Sequence, residues 1–151
     1  MIQDYKFDNN VYEVKRLLFD YFTEIDGHIL NEDVERYFNN VAFQMMKYSS
    51  LVFRIYLYER KPVGFIFANI DYFYNNEKCG YILELFVEKK HRRIKIGKQL
   101  VESFEKSCII NKRIFLTSNP LAYLFYENIG YHKMNKLDAD NQQQIFYKEL
   151  N

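Results

Sequence analysis

The apolar positions of this chain change period several times, and each change marks an element. Val14, Leu17, Leu18, Tyr21 and Phe22 recur at helical spacing. They predict a first helix, opened by Asp8, Asn9 or Asn10 as N-cap and stopped near Gly27. Val34, Tyr37, Phe38, Val41, Phe43 and Met45 predict a second, from Asn31 or Glu32 to about Tyr48. Ahead of both, Ile2 to Phe7 can form a short strand. Leu51 to Tyr58 and Val63 to Tyr72 are β-rich runs joined by Glu59-Arg60-Lys61-Pro62, which reads as an antiparallel hairpin. Pro62 fits there at the start of a strand, where a missing N–H is tolerated. The turn Tyr74 to Lys78 leads into a third strand of the same meander.

The next stretch, Tyr81 to Phe104, organises the rest. Tyr81, Ile82, Leu83, Leu85, Phe86 and Val87 form a nearly continuous apolar run, the pattern of a strand covered on both faces, with Glu84 set in its middle. A cationic segment follows, Lys89-Lys90-His91-Arg92-Arg93, then Lys95, Gly97 and Lys98. From Ile96 the period becomes four (Ile96, Leu100, Phe104, Cys108), an amphipathic helix. A strand, a basic loop with a glycine and a helix start direct unpaired N–H groups and a positive helix end at one place, which suits a phosphate. Arg113 to Thr117 then reads as a strand, parallel to the Glu84 strand because a helix separates them. Asn119-Pro120 opens another helix, with Leu121, Leu124, Phe125 and Ile129 expected on its buried face and Gly130 ending it. Tyr131 to Leu137 and Gln143 to Leu150 complete the chain as strands around the loop Asp138 to Gln142. The order β-α-α-β-β-β-α-β-α-β-β implies an α/β (α+β) fold with a mixed sheet and helices on both faces.

Composition narrows this. A length of 151 residues fits one domain, 1–151, and the absence of low-complexity tracts or repeats argues for a packed core. The start lacks the pattern of a secretory signal, and no apolar run is long enough to span a bilayer, so no membrane partner is expected. Cys79 and Cys108 stand apart without a CxxC or a Cys/His cluster, which predicts reduced thiols, a cytoplasmic protein and no metal site. Net charge is +1 but uneven. Residues 8–35 hold eight acids against Lys15 and Arg16, whereas residues 89–113 hold nine cations against Glu102 and Glu105. The second block implies an anionic partner.

These residues resemble the GNAT superfamily of N-acetyltransferases over nearly the whole chain. The family's R/Q-x-x-G-x-G/A element falls on Arg92-Arg93-Ile94-Lys95-Ile96-Gly97, with Lys95 in place of the first glycine. A second signature falls on Asn119, Ala122, Phe125-Tyr126 and Gly130-Tyr131. The resemblance implies a mostly antiparallel sheet of about seven strands with about four helices and a parallel pair around the cofactor site. It implies acetyl-CoA as co-substrate, its pyrophosphate on Arg92, Arg93, Ile94, Lys95, Ile96, Gly97 and Lys98, and its pantetheine arm along Phe86 and Val87. Asn119 would bond that arm, a role that a simple N-cap explains equally well.

Two side chains carry the chemistry the family implies. Glu84, sharing a face with Ile82 and Phe86 by strand alternation, is the candidate general base, or else a structural partner of a cation such as Arg54. Tyr126 is the candidate acid for the departing thiolate. The expected reaction is direct attack of a primary amine on acetyl-CoA in a ternary complex. The resemblance implies a small-molecule or peptide amine as acceptor, chosen by segments that fall here on residues 23–33 and 138–142, whose acids point to a cationic one. A homodimer is an open option. Two other classes compete: a non-catalytic acyl-CoA-binding domain, and a nucleic-acid module using the basic run, ranked last because the rest of the chain is neutral or acidic, so that no nucleic acid is expected as a partner.

Overall fold

The computed structural model describes residues 1–150. One sheet of seven strands runs in the order β1-β2-β3-β4-β5-β7-β6. Its strands are β1 (Ile2–Asp4), β2 (Leu51–Tyr58), β3 (Lys61–Tyr74), β4 (Glu77–Val87), β5 (Arg113–Ser118), β6 (His132–Leu137) and β7 (Gln144–Glu149). Every neighbouring pair is antiparallel except β4 and β5, which are parallel and register only at Gly80–Ile114 and Tyr81–Phe115. Beyond Tyr81 the two strands part. The β3–β4 hairpin is longer than the sequence pattern indicates, because Asn75 and Asn76 both take positive φ (51° and 64°) and close a two-residue turn.

Helices cover both faces. α1 (Val11–Asp26) and α2 (Asn31–Lys47) lie on one, where Val14, Leu17 and Phe38 meet Phe53, Phe65 and Phe86 of the strands. α1 ends on Gly27 at φ 79°, a conformation that glycine adopts without strain. Asn10 precedes α1 but makes no capping side-chain bond. On the other face α3 (Ile96–Ser107) buries Ile96, Leu100, Val101 and Phe104 against Ile66, Ile82 and Ile114. A third cluster, Cys79, Phe115 and Ile145 with flanking tyrosines, is built by strands alone. Both cysteines are free and buried. No helix among the described residues is long and apolar enough to cross a membrane.

The segment after β5 corrects one expectation. It begins as a 3-10 turn, Pro120–Ala122, and continues as the short α4 (Tyr123–Asn128). Leu121 and Leu124, expected in the core, are 94% and 70% exposed. Phe125 and Ile129 do face inward, half-buried, but the places expected for the two leucines are taken by buried Tyr126 and half-buried Ala122 against the same cluster. An apolar pattern at i, i+3, i+4 fits two adjacent stripes in so short a helix, and the aromatic stripe with more area to bury takes the core.

Candidate active site

The site grows from an irregularity in β4. Phe67 of β3 pairs with Glu84, but the next residue, Ala68, pairs with Ile82, so Leu83 has no opposite number and bulges. The bulge reverses the alternation. Ile82 packs under α3, whereas Glu84 and Phe86 face α1 and α2. The expectation that Glu84 shares a face with Ile82 therefore fails, and the one that it shares a face with Phe86 holds. Arg54 lies on the α3 side, bonded to Ser103, Ser107 and Asp4, and is not the partner of Glu84.

Glu84 instead meets phenols. The Tyr21 hydroxyl of α1 donates to Glu84 Oε1 at 3.0 Å. Tyr37 of α2 faces the same carboxylate without so close a bond. Burial pushes the Glu84 carboxyl up to about 7, the phenols at Tyr21 and Tyr37 pull it back, and the Asp26 charge adds to the rise. The Tyr21 phenol is raised far above its ordinary value, first by burial and then by the Glu84 charge. Its ring is fixed by Phe22, Phe65 and Phe86, with centroids 5.0, 5.6 and 5.5 Å away. Sequence reading put Tyr21 and Tyr37 on the apolar faces of their helices and missed their hydroxyls. A tyrosine on such a face opposite a strand carboxylate is the signal that would have found them.

Where β4 and β5 part, a cleft of about 390 Å³ opens. Leu85, Phe86 and Val87 form one wall, Tyr21 and Glu24 of α1 another, and Asn119, Phe125 and Tyr126 a third. The Glu88 N–H donates to Val63 of β3, so by strand alternation the peptide groups of Phe86 also face β3. Those of Leu85 and Val87 face the gap. Leu85 thus joins Val87 as a main-chain donor on the cleft wall, and Phe86 contributes its position in the wall rather than free peptide groups. Tyr126 is buried, and its phenol is raised by burial and then by Glu84, which places the two groups within electrostatic reach across the gap. Asn119 Oδ1 accepts the Leu121 N–H at 3.0 Å, the cap role, while the residue also lines the cleft.

The basic loop turns at the cleft's mouth. Lys89–Ile94 forms a 3-10 helix, Lys95 takes φ 65°, ψ 22°, and α3 begins at Ile96. Lys95 therefore adopts the left-handed conformation that glycine favours, and its side chain is exposed. The first-turn N–H groups of α3 have no intrahelical partners, as in any helix, and carry the positive end of its dipole. Gly97 is buried against Phe125: a Cβ there would meet that ring at 3.1 Å. Such a bare helix start beside a cleft fits a pyrophosphate held by main chain.

The side chains of the loop behave less uniformly than the sequence suggests. Arg92 Nε donates to the Val87 carbonyl at 2.7 Å, and its Nη atoms reach Glu24 at 2.8 and 2.5 Å. The guanidinium holds the Glu24 carboxyl below its usual range. Arg92 thus ties loop, strand and α1 together. Arg93, Ile94 and Lys98 are exposed and do not line the cleft, and Ile96 is in the core, so it offers the site only its N–H. Among the acids expected to select a cationic acceptor, Asp138 is used internally: it accepts from Tyr74 and from the Asp140 and Asn141 N–H groups.

Solved structures share this architecture. An acetyltransferase of the GNAT family from Staphylococcus aureus Mu50 is 20% identical, with a TM-score of 0.73 over 100% of this chain and 99% of that one. The PaiA N-acetyltransferase from Thermoplasma acidophilum, solved in complex with coenzyme A, is 16% identical, with a TM-score of 0.75 over 99% and 98%. Aminoglycoside 6'-acetyltransferase type Ii is 24% identical, with a TM-score of 0.72 over 99% and 96%. The fold is that of the GNAT acetyltransferases. The sequence model of the acetyltransferase (GNAT) family matches residues 11–131, and the chain belongs to that family. Membership supports acetyl transfer from an acyl-CoA donor in general terms. A search of curated protein sequences finds no match.

Proposed function

We propose that the whole chain, residues 1–151, is an N-acetyltransferase that moves an acetyl group from acetyl-CoA to a primary amine by direct attack in a ternary complex. What supports this most is the pairing around one gap in the sheet: a carboxyl poised near neutral pH, Glu84, and a buried phenol, Tyr126, within reach of each other's field. Acetyl-CoA supplies the thioester carbonyl. The first-turn N–H groups of α3 with Lys95 and Gly97 receive its pyrophosphate, and the Leu85 and Val87 main chain receives its pantetheine arm as an added strand. A Val87 or Leu85 N–H polarises the thioester carbonyl. Glu84 takes a proton from the acceptor ammonium, and the freed lone pair attacks the carbonyl carbon. As the carbon–sulfur bond breaks, the Tyr126 hydroxyl gives its proton to the thiolate. No protein partner holds that hydroxyl among the described residues, which suits a donor waiting for its substrate.

The acceptor is a cationic small molecule, a polyamine or an aminoglycoside. With Glu24 tied to Arg92, Asp26 remains an exposed carboxylate without an ion pair among the described residues, close enough to act on Glu84. The fold neighbour that is an aminoglycoside acetyltransferase points the same way. The test is CoA-thiol release from acetyl-CoA over a panel led by spermidine and kanamycin, with a peptide N-terminus and free lysine included. Turnover on a polycation is expected. Saturable CoA binding without turnover on any amine would overturn catalysis and leave a binding domain.

A further inference from the structure

We propose that Tyr21 relays the proton between the acceptor amine and Glu84: Tyr21 lines the cleft, which Glu84 does not, and its hydroxyl donates to Glu84 Oε1 at 3.0 Å. The inference rests on the reading of Glu84 as base. A phenol is at once a donor and an acceptor, so it can receive one proton while giving another. In the step, the ammonium N–H bond breaks and its proton forms a bond to the Tyr21 oxygen. The original Tyr21 O–H bond breaks at the same time, and that proton goes to Glu84 Oε1. The products are a neutral amine with a free lone pair, a neutral tyrosine and a glutamic acid. No net charge is left on the phenol, which suits its surroundings, since burial and the Glu84 charge both oppose a phenolate.

The geometry around the hydroxyl suits a fixed relay. Three phenylalanine rings clamp the Tyr21 ring, so its hydroxyl stays aimed at the carboxylate. The titratable groups facing Glu84 are Tyr21 and Asp26 from α1, Tyr37 from α2 and Tyr126 from α4. Of these, Tyr21 and Tyr126 line the cleft, and the bond to Glu84 comes from Tyr21.

The experiment compares Tyr21→Phe, Glu84→Gln, the double variant and Tyr37→Phe on whichever panel amine turns over fastest, spermidine or kanamycin first, at pH 7 and pH 10. The ring of Tyr21→Phe keeps its packing, and a melting curve checks the fold. At pH 7 both Tyr21→Phe and Glu84→Gln should lose about 10²-fold in kcat/KM, and the double variant should be no slower than Glu84→Gln alone. Near pH 10, where solution supplies free amine, both should recover to within a few-fold of wild type. Tyr37→Phe takes a phenol from the carboxylate but not from the cleft. It should move the acidic limb upward without the large loss. Tyr21→Phe near wild type at pH 7, beside an impaired Glu84→Gln, overturns the relay and leaves Glu84 as the base. An unimpaired Glu84→Gln overturns the base reading and the relay together. Should Tyr21→Phe not fold, the wild-type proton inventory on kcat/KM decides: a curved, two-proton dependence is expected, and a linear one overturns the relay.

Discussion

Glu84→Gln should stabilise the protein, and by an amount that depends on pH in a defined way. The folded carboxyl titrates near 7 against an ordinary value of 4.5, because burial disfavours its charge more than the two phenols favour it. Below about pH 4.5 both folded and unfolded chains carry the proton, and the group costs nothing. As pH rises toward 7 the unfolded chain has released its proton and the folded chain has not, so stability falls. Above 7 both are charged and the full cost is present. At about 1.4 kcal/mol per pH unit, that cost is about 3 kcal/mol. Glutamine keeps the volume and an oxygen for Tyr21 but never carries the charge. Chemical denaturation of both proteins from pH 4.5 to 8 is the assay. The variant's advantage should grow by about 3 kcal/mol across that range, or roughly 6–12 °C in Tm for a chain of this size. A difference between the two proteins that stays flat with pH would refute the desolvation of Glu84, and with it the basis for a base poised near neutral pH.

Three further outcomes are expected. Tyr126→Phe should leave the fold and acetyl-CoA binding intact, by melting curve and calorimetry, while turnover falls about 10²-fold or more. Lys95→Gly relieves a left-handed lysine but loosens the unfolded chain, so stability should change by less than about 1 kcal/mol and acetyl-CoA affinity should hold or improve; a large loss of affinity would show that the lysine side chain, not the turn, serves the phosphates. Gly97→Ala puts a Cβ 3.1 Å from the Phe125 ring, so acetyl-CoA should bind several-fold more weakly with a stability loss of about 1 kcal/mol, read by thermal shift with and without the donor.

How much of this was legible in the sequence divides along physical lines. Strands and helices with a clear period were read close to their observed bounds, as with Leu51–Tyr58 and the helix from Ile96, because a buried stripe repeats over several turns or pleats. The parallel β4–β5 pair followed from the helix between them. What was not legible depended on one-residue offsets. On the segment after β5, Phe125 and Ile129 face inward as expected but Leu121 and Leu124 do not, because six helical residues hold too few turns to distinguish neighbouring faces. The bulge at Leu83 leaves no mark in a strand that is apolar on both sides, so Ile82 was assigned to the wrong face. Polar contacts between distant elements, such as Tyr21 with Glu84 and Arg92 with Glu24, span more than 60 residues of sequence and are set by packing alone.

The extra residue at Leu83 also makes β4 a strand with two parities. Upstream of it, even-numbered positions belong to the α3 core; downstream, even-numbered positions belong to the helical pair and the chemistry. The two halves of one strand can therefore change independently, with core volume adjusted at Ile82 while Glu84 and Phe86 keep their aim. The arrangement has a specific fragility. Deleting Leu83 would restore a single alternation, and either the hydrophobic contacts of Ile82 or the carboxylate of Glu84 would have to turn to the opposite side of the sheet. A deletion of one exposed leucine would thus be felt as the loss of a core residue or of the candidate base, though it removes neither.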